Sequence, residues 1–271
     1  MRALHLVVLA LAFSLTATAQ QVPPLAGIAH VALRVHSLAD SIAFYESLGY
    51  VQAFDLRRDN VPYESFIKIN DRQFIELYPA TPKTPGLGFL HLCFEGDDLQ
   101  AIHDEYTSHG LKPTDVRKAG AGNLLFTLAG PLEPNGPDGS AIPQNIEYTQ
   151  YMPGSLHSND FGQHLGKDRI ADTLVGVSIN FVDPTAATAF YFNDLSFRPL
   201  PGEPQTLHLP GNSGQEIKIH DARLPPWLML ETANLAKAAR RLSHEHIKFE
   251  KYSEALAFAD PDGNQIVIRQ K

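Results

Sequence analysis

The chain has 271 residues, 44% of them hydrophobic, enough to bury one or two ordinary cores. Its formal net charge of −8 leaves no basic face for nucleic acid and no long basic run for anionic lipid. A single cysteine, Cys93, excludes an internal disulfide, so stability has to come from packing.

Residues 1–19 have the pattern of a cleavable secretory signal peptide. Arg2 is followed by an apolar run from Leu4 to Leu15 and then by Ala17-Thr18-Ala19, with cleavage expected after Ala19. The run is too short for a permanent transmembrane span. The mature protein is therefore expected in a periplasmic or extracellular compartment, with no membrane contact after cleavage.

The rest of the chain repeats one pattern of strand, helix and about three further strands. The first copy runs from about Ala26 to Pro79: GIAHVALRV alternates as a strand, and SLADSIAFYESLGY follows as an amphipathic helix. Ser37 is its expected N-cap and Gly49 its expected C-cap. SFIKIN and QFIELY then read as half-buried antiparallel strands. The second copy, about Gly88 to Tyr151, opens with GFLHLCFEG, continues through the helix DDLQAIHDEYTSHG and the strand LLFTLAG, and closes with NIEYTQY.

Residues 152–172 show no strong periodicity and read as a linker or partial lid. A third copy starts at Thr173, where Phe190-Tyr191 and Leu195 answer Phe44-Tyr45 and Leu48. A fourth starts at Pro226, with Leu235, Ala238, Ala239 and Leu242 at helical spacing. Pro137-Asp138-Gly139 and Asp260-Pro261-Asp262-Gly263 are turn sequences just before the last strand of each half. Two domains, 24–151 and 173–271, each a pair of units, are the economical reading.

Four residues stand at corresponding places in the first two copies. His30 and His91 lie early in the opening strands, and Glu76 and Glu147 lie in the closing strands. Alternation puts His30 on one face with Ala32 and Arg34, Glu76 with Phe74 and Tyr78, His91 with Cys93 and Glu95, and Glu147 with Asn145 and Thr149. Imidazole nitrogen with carboxylate oxygen suits one divalent ion: Fe, Mn, Co, Ni or Zn.

These residues resemble the vicinal oxygen chelate (VOC) superfamily, which includes glyoxalase I, fosfomycin-resistance enzymes, bleomycin-resistance proteins and extradiol dioxygenases. The SIAFYESLGY helix, the Pro-Asp-Gly turns and the His/Glu positions carry the resemblance across nearly the whole mature chain. It implies an α+β fold in which four βαβββ units form two glyoxalase-like domains with curved, partly open mixed sheets. It also implies a divalent metal on the concave face, chelated by two neighbouring oxygens of a small-molecule substrate.

Under that resemblance His30, Glu76, His91 and Glu147 are metal ligands. His30, His91 and Glu147 alone make a dioxygenase-like triad, whereas in a glyoxalase-like lyase or isomerase all four bind and Glu76 or Glu147 moves a proton. Arg34 and Tyr78 are the candidate substrate-binding residues, Arg34 for an anionic group, with a surface ion pair as its alternative. Cys93 reads as a small apolar residue of the barrel wall. Of the other histidines, mostly expected to be solvated, His157 and His164 are placed to close over the site.

Alignment within the chain sets Gly176 against His30, Lys218 against Glu76, Trp227 against His91 and Val267 against Glu147. The second half is therefore expected to hold no metal, and a complete site needs the first two units to pair with each other or with a second chain, as a monomer or a homodimer. The alternative is a non-catalytic binding or sequestration protein of the bleomycin-resistance type.

Overall fold

The computed structural model describes residues 23–134 and 140–271; the expected signal peptide and the first Pro-Asp-Gly turn lie outside them. Residues from Leu25 to Gln150 supply β1 (Leu25–Val35), α1 (Leu38–Ser47), β2 (Val51–Arg58), β3 (Val61–Asn70), β4 (Gln73–Pro79), β5 (Gly88–Gly96), α2 (Leu99–Ser108), β6 (Arg117–Lys118), β7 (Leu124–Glu133) and β8 (Ile142–Gln150). A short helix, α3 (Leu156–Asn159), lies in the connection. The second half follows with β9 (Thr173–Phe181), α4 (Pro184–Ala189), β10 (Arg198–Leu200), β11 (Glu203–Leu209), β12 (Asn212–Asp221), β13 (Trp227–Thr232), α5 (Leu235–His244), β14 (Phe249–Lys251), β15 (Ala255–Ala259) and β16 (Gln265–Gln270).

Each half forms one open eight-stranded mixed sheet. The orders are β2-β3-β4-β1-β5-β8-β7-β6 and β10-β11-β12-β9-β13-β16-β15-β14. Units one and two thus share a sheet, joined by the antiparallel pair β1–β5, with the parallel pairs β1–β4 and β5–β8 on either side. This order sets β4, β1, β5 and β8 side by side, the four strands that carry Glu76, His30, His91 and Glu147.

Polar side chains fix the helix starts. Ser37 accepts from Asp40 N, Asp98 from Ala101 N, Asp183 from Thr185 N and Ala186 N, and Asn234 from Lys237 N, each satisfying an amide that has no intrahelical partner. Gly49, at φ 87°, ends α1, and a Cβ there would meet the Asp168 carbonyl carbon at 2.6 Å. That close approach docks the connection against the helix.

The apolar face of β1, with Val31, Leu33 and Val35, packs in the core with Tyr45 and Leu48 of the first helical segment. In the third unit the matching residues Tyr191 and Leu195 are four apart rather than three. A π-helical turn over Phe190–Asp194 absorbs the extra residue and keeps both buried.

The domains also bond across their interface. Tyr45 Oη donates to Asp260 of the Asp260–Gly263 turn at 3.2 Å, and Tyr191 Oη donates to Gln144 at 2.8 Å. Gln73 bridges to the Leu174 backbone in both directions, at 2.8 Å each.

Residues 152–172 run as a strap held against the first sheet. Lys68 of β3, fully buried, donates to Asp160 O at 2.6 Å, Asp160 Oδ2 at 2.7 Å and Gln163 O at 2.7 Å. His157 stacks on Tyr151 and meets Phe54, Phe66 and Phe74 edge-on.

Candidate metal centre

Register brings the four predicted residues together. On the concave face Ala32 of β1 lies between Glu76 of β4 and His91 of β5, with His30 one side-chain step further along the strand. His30 Nδ1 is 3.0 Å from Glu76 Oε1, the two Nε2 atoms of His30 and His91 are 3.2 Å apart, and His91 Nε2 is 3.9 Å from Glu76 Oε2. Glu147 Oε1 lies 3.6 Å from His30 Nε2.

The compact group is His30, Glu76 and His91, whose donor atoms all lie within 4.8 Å of one another. Glu147 groups instead with His30 and Cys93. Of the four expected ligands, Glu76, expected as the fourth, stands with both imidazoles, and Glu147, expected in the triad, lies 3.6 Å from His30 Nε2.

The donor set suits a cation. First-row ions hold nitrogen and oxygen at about 2.0–2.2 Å, which separates neighbouring donors by roughly 3.0–3.5 Å. With one nitrogen taken from each ring, the His30 Nε2–His91 Nε2 spacing of 3.2 Å falls in that range. Despite its short approach to Glu76, His30 Nδ1 has no hydrogen-bond partner, an orphaned polar atom inside the protein.

Electrostatics point the same way. Burial, then the neighbouring His91 and His157, hold His30 well below the ordinary imidazole range, and burial lowers His91 to about 4. Both rings are therefore neutral, as ligands must be. Burial raises the carboxyls, Glu147 to about 7 and Glu76 well above its ordinary range, reinforced for each by Glu64. Buried carboxyls beside neutral imidazoles gain most from a cation.

A cleft of about 210 Å³ opens beside this cluster. Glu76, Glu147, Tyr78, Glu64, Arg117 and His157 line it, whereas neither His30 nor His91 reaches its wall. Tyr78 Oη donates to Glu76 Oε2 at 3.2 Å. Burial raises the Cys93 thiol, next to Glu147, well above its usual range, so it stays a thiol on the barrel wall.

Arg34 lies elsewhere. Its guanidinium donates to Gly86 O at 3.4 Å and lines a separate cavity, because the end of β1 has run past the Glu76 level to the domain boundary. Of the strap histidines, His157 reaches the cleft, held by Asn123 at 2.8 Å, while His164 pairs with Asp160. Burial of His157 and His220 corrects the expectation of solvated rings at these two positions.

Glu64 and Arg117 were not anticipated from the sequence. Glu64 shares a strand face with Phe66 and Lys68, so extending the alternation of SFIKIN by one residue would have reached it. Arg117 sits on a two-residue strand with no signal of its own.

The second sheet repeats the register without the donors. Gly176 faces Met229 as His30 faces Cys93, and Lys218 faces Ser178 as Glu76 faces Ala32. Trp227 faces Ser178 as His91 faces Ala32, and Val267 faces Met229 as Glu147 faces Cys93. Glycine, lysine, tryptophan and valine thus occupy the four equivalent places.

Residues 27–142 match the model of the Glyoxalase/Bleomycin resistance protein/Dioxygenase superfamily. No curated protein matches the sequence. Among solved structures, the 2,3-dioxygenase LapB from Pseudomonas sp. KL28 superposes with a TM-score of 0.64 at 14% identity, covering 92% of this chain and 93% of that one. The Mn(II)-bound glyoxalase from Novosphingobium aromaticivorans gives 0.66 at 15% identity, over 91% and 82%. Homoprotocatechuate 2,3-dioxygenase from Arthrobacter globiformis gives 0.61 at 17%, over 93% and 81%. At these identities the likeness is one of fold. Residues 27–142 thus match the Glyoxalase/Bleomycin resistance protein/Dioxygenase superfamily, and the chain as a whole shares the two-domain fold of these structures.

Proposed function

We propose that this protein is an exported metalloenzyme of the glyoxalase-like lyase or isomerase type, acting on a small molecule with two neighbouring oxygens. The observation that carries this reading is the presence of two carboxylates, Glu76 and Glu147, flanking His30 and His91. A dioxygenase-type triad needs only one. Export rests on the signal-like segment around Arg2 and Ala17-Thr18-Ala19.

His30, Glu76 and His91 would hold the ion, with Glu147 at its edge. A divalent ion supplies Lewis acidity and a template for two substrate oxygens. Glu147, raised by burial to about 7, can take a proton from one carbon at a carboxylate oxygen and return it to the neighbouring carbon. Tyr78 orients Glu76 through its hydroxyl and, with Arg117, offers polar contact to the substrate at the cleft wall. The aromatic packing around His157 keeps water from that side.

Elemental analysis of residues 20–271 purified without chelators, beside the His30→Ala/His91→Ala double variant, tests the site. About one divalent ion per chain, lost in the variant, is expected. Proton exchange between the adjacent carbons of a small α-hydroxyketone in deuterated water, abolished by Glu147→Gln, is the expected activity. Iron with oxygen uptake on catechols would replace this reading with a dioxygenase, and absence of metal would replace it with a ligand-binding module.

A further inference from the structure

A cavity of about 750 Å³ lies between the two domains and shares no lining residue with the metal-centre cleft. Its walls mix apolar side chains, among them Leu33, Phe89, Ile142 and Leu228, with a few polar ones. Leu87 and Leu224, each about half exposed, border it, so a ligand can enter from solvent. The volume is that of an ordinary small-molecule site.

Among the described residues, two polar groups in the lining are incompletely satisfied. Glu133, at the end of β7, is 2% exposed, and its Oε1 has no hydrogen-bond partner among the described residues. Arg34 makes one long hydrogen bond, to Gly86 O at 3.4 Å, and forms no ion pair among the described residues. By contrast Asp262 is engaged by His36 N at 3.1 Å and Ser41 Oγ at 3.3 Å, and the Asn264 amide donates to Asp260 at 2.8 Å. A buried carboxyl oxygen left unpaired is costly, so a ligand group that satisfies it gains on binding.

We propose that the interdomain cavity is a second ligand site, for a small organic carboxylate with an apolar body, whose carboxylate pairs with Arg34 and hydrogen-bonds to the Glu133 carboxyl. Arg34 supplies the cation, and its planar fork matches a carboxylate. Burial raises Glu133 to about 8, so at neutral pH it keeps its proton and donates rather than repels. The leucine and phenylalanine walls accept an aryl or alkyl body. Because the cavity is built from both domains, occupancy also braces their interface.

Isothermal titration of the intact protein with benzoate, phenylacetate and 4-phenylbutyrate, against phenylacetamide and benzylamine, tests this. At least one acid is expected to bind one site at least tenfold more tightly than the amide or the amine. Arg34→Gln should weaken it at least tenfold, and Leu228→Trp, which fills the cavity, should abolish it; unchanged circular dichroism confirms that both variants fold. Binding should survive in His91→Ala, which separates this site from coordination at the metal centre. No uptake of any acid at millimolar concentration, equal binding of acid and amide, or binding lost in His91→Ala but kept in Arg34→Gln would overturn the proposal.

Discussion

Lys68 Nζ, in a side chain with no exposed surface, lies 2.7 Å from the Asp160 carboxylate and so ties the strap between the domains to the third strand of the first sheet. Asp71 completes the arrangement at 2.8 Å. Removing one partner of a buried ion pair leaves the other charged and unpaired, at about 3–5 kcal/mol. Lys68→Met should therefore lower stability by about that amount in urea unfolding, and should open residues 152–168 to proteolysis before the rest of the chain. A loss below about 1 kcal/mol would mean that the strap is held chiefly by the aromatic packing of His157.

The two site carboxylates should separate by experiment. Glu76 sits in the compact group with both histidines, whereas Glu147 groups with His30 and Cys93. Glu76→Gln should weaken Mn(II) binding more than Glu147→Gln, with losses of at least tenfold and of a few fold. Without metal the order of effects changes, because burial raises Glu76 well above its ordinary range, favouring the protonated carboxyl, with which an amide is nearly isosteric. Metal-free Glu76→Gln should then match the wild type within about 1 kcal/mol, while excess Mn(II) stabilises only the wild type by about 2.7 kcal/mol at a hundredfold excess over Kd. A larger loss for Glu147→Gln than for Glu76→Gln would instead support the His30, His91 and Glu147 triad.

Much of this arrangement was readable from strand alternation and repetition. A two-residue side-chain period puts His30, Glu76, His91 and Glu147 on one face once their strands are identified, and the repeat identifies the strands. The N-cap at Ser37 was legible because its chemistry is local, whereas the C-cap falls on Leu48, with the expected Gly49 one residue beyond it at positive φ. Which carboxylate stands nearer the imidazoles was not, since it depends on the side-chain positions at the site. Nor was the path of Arg34, which shares the right face but lies too far along its strand. Lys68 and His157 were opaque for a related reason: their partners lie 92 and 34 residues away, and no periodic signal links them.

Trp227, the only tryptophan, stacks on His220 with ring centroids 4.9 Å apart and planes 8° from parallel. Burial lowers His220 from its ordinary range, partly opposed by Asp221. A protonated imidazole in stacking contact quenches indole fluorescence, so emission should hold steady from pH 8 to about 6.5 and fall below it. His220→Gln should remove the step. A midpoint above 6.5, or a step that persists in the variant, would place the titrating group elsewhere.

Glu133 should make stability fall with rising pH. Its carboxyl is raised by burial to about 8 in the folded protein, against roughly 4.3 when the chain is unfolded. Between those values the unfolded chain has lost the proton while the folded protein keeps it, so each step upward in pH favours unfolding. The stability associated with the neutral carboxyl is thus full below about pH 4 and has been given up by about pH 8. Glutamine cannot ionise, so Glu133→Gln should gain on the wild type steadily from pH 5 to pH 8, reaching about 1–3 kcal/mol. Comparing the two proteins at each pH cancels the titration of every other group. Parallel stability curves would show that Glu133 ionises in the folded state as it does in water, and would remove the proton it is proposed to donate in the interdomain cavity.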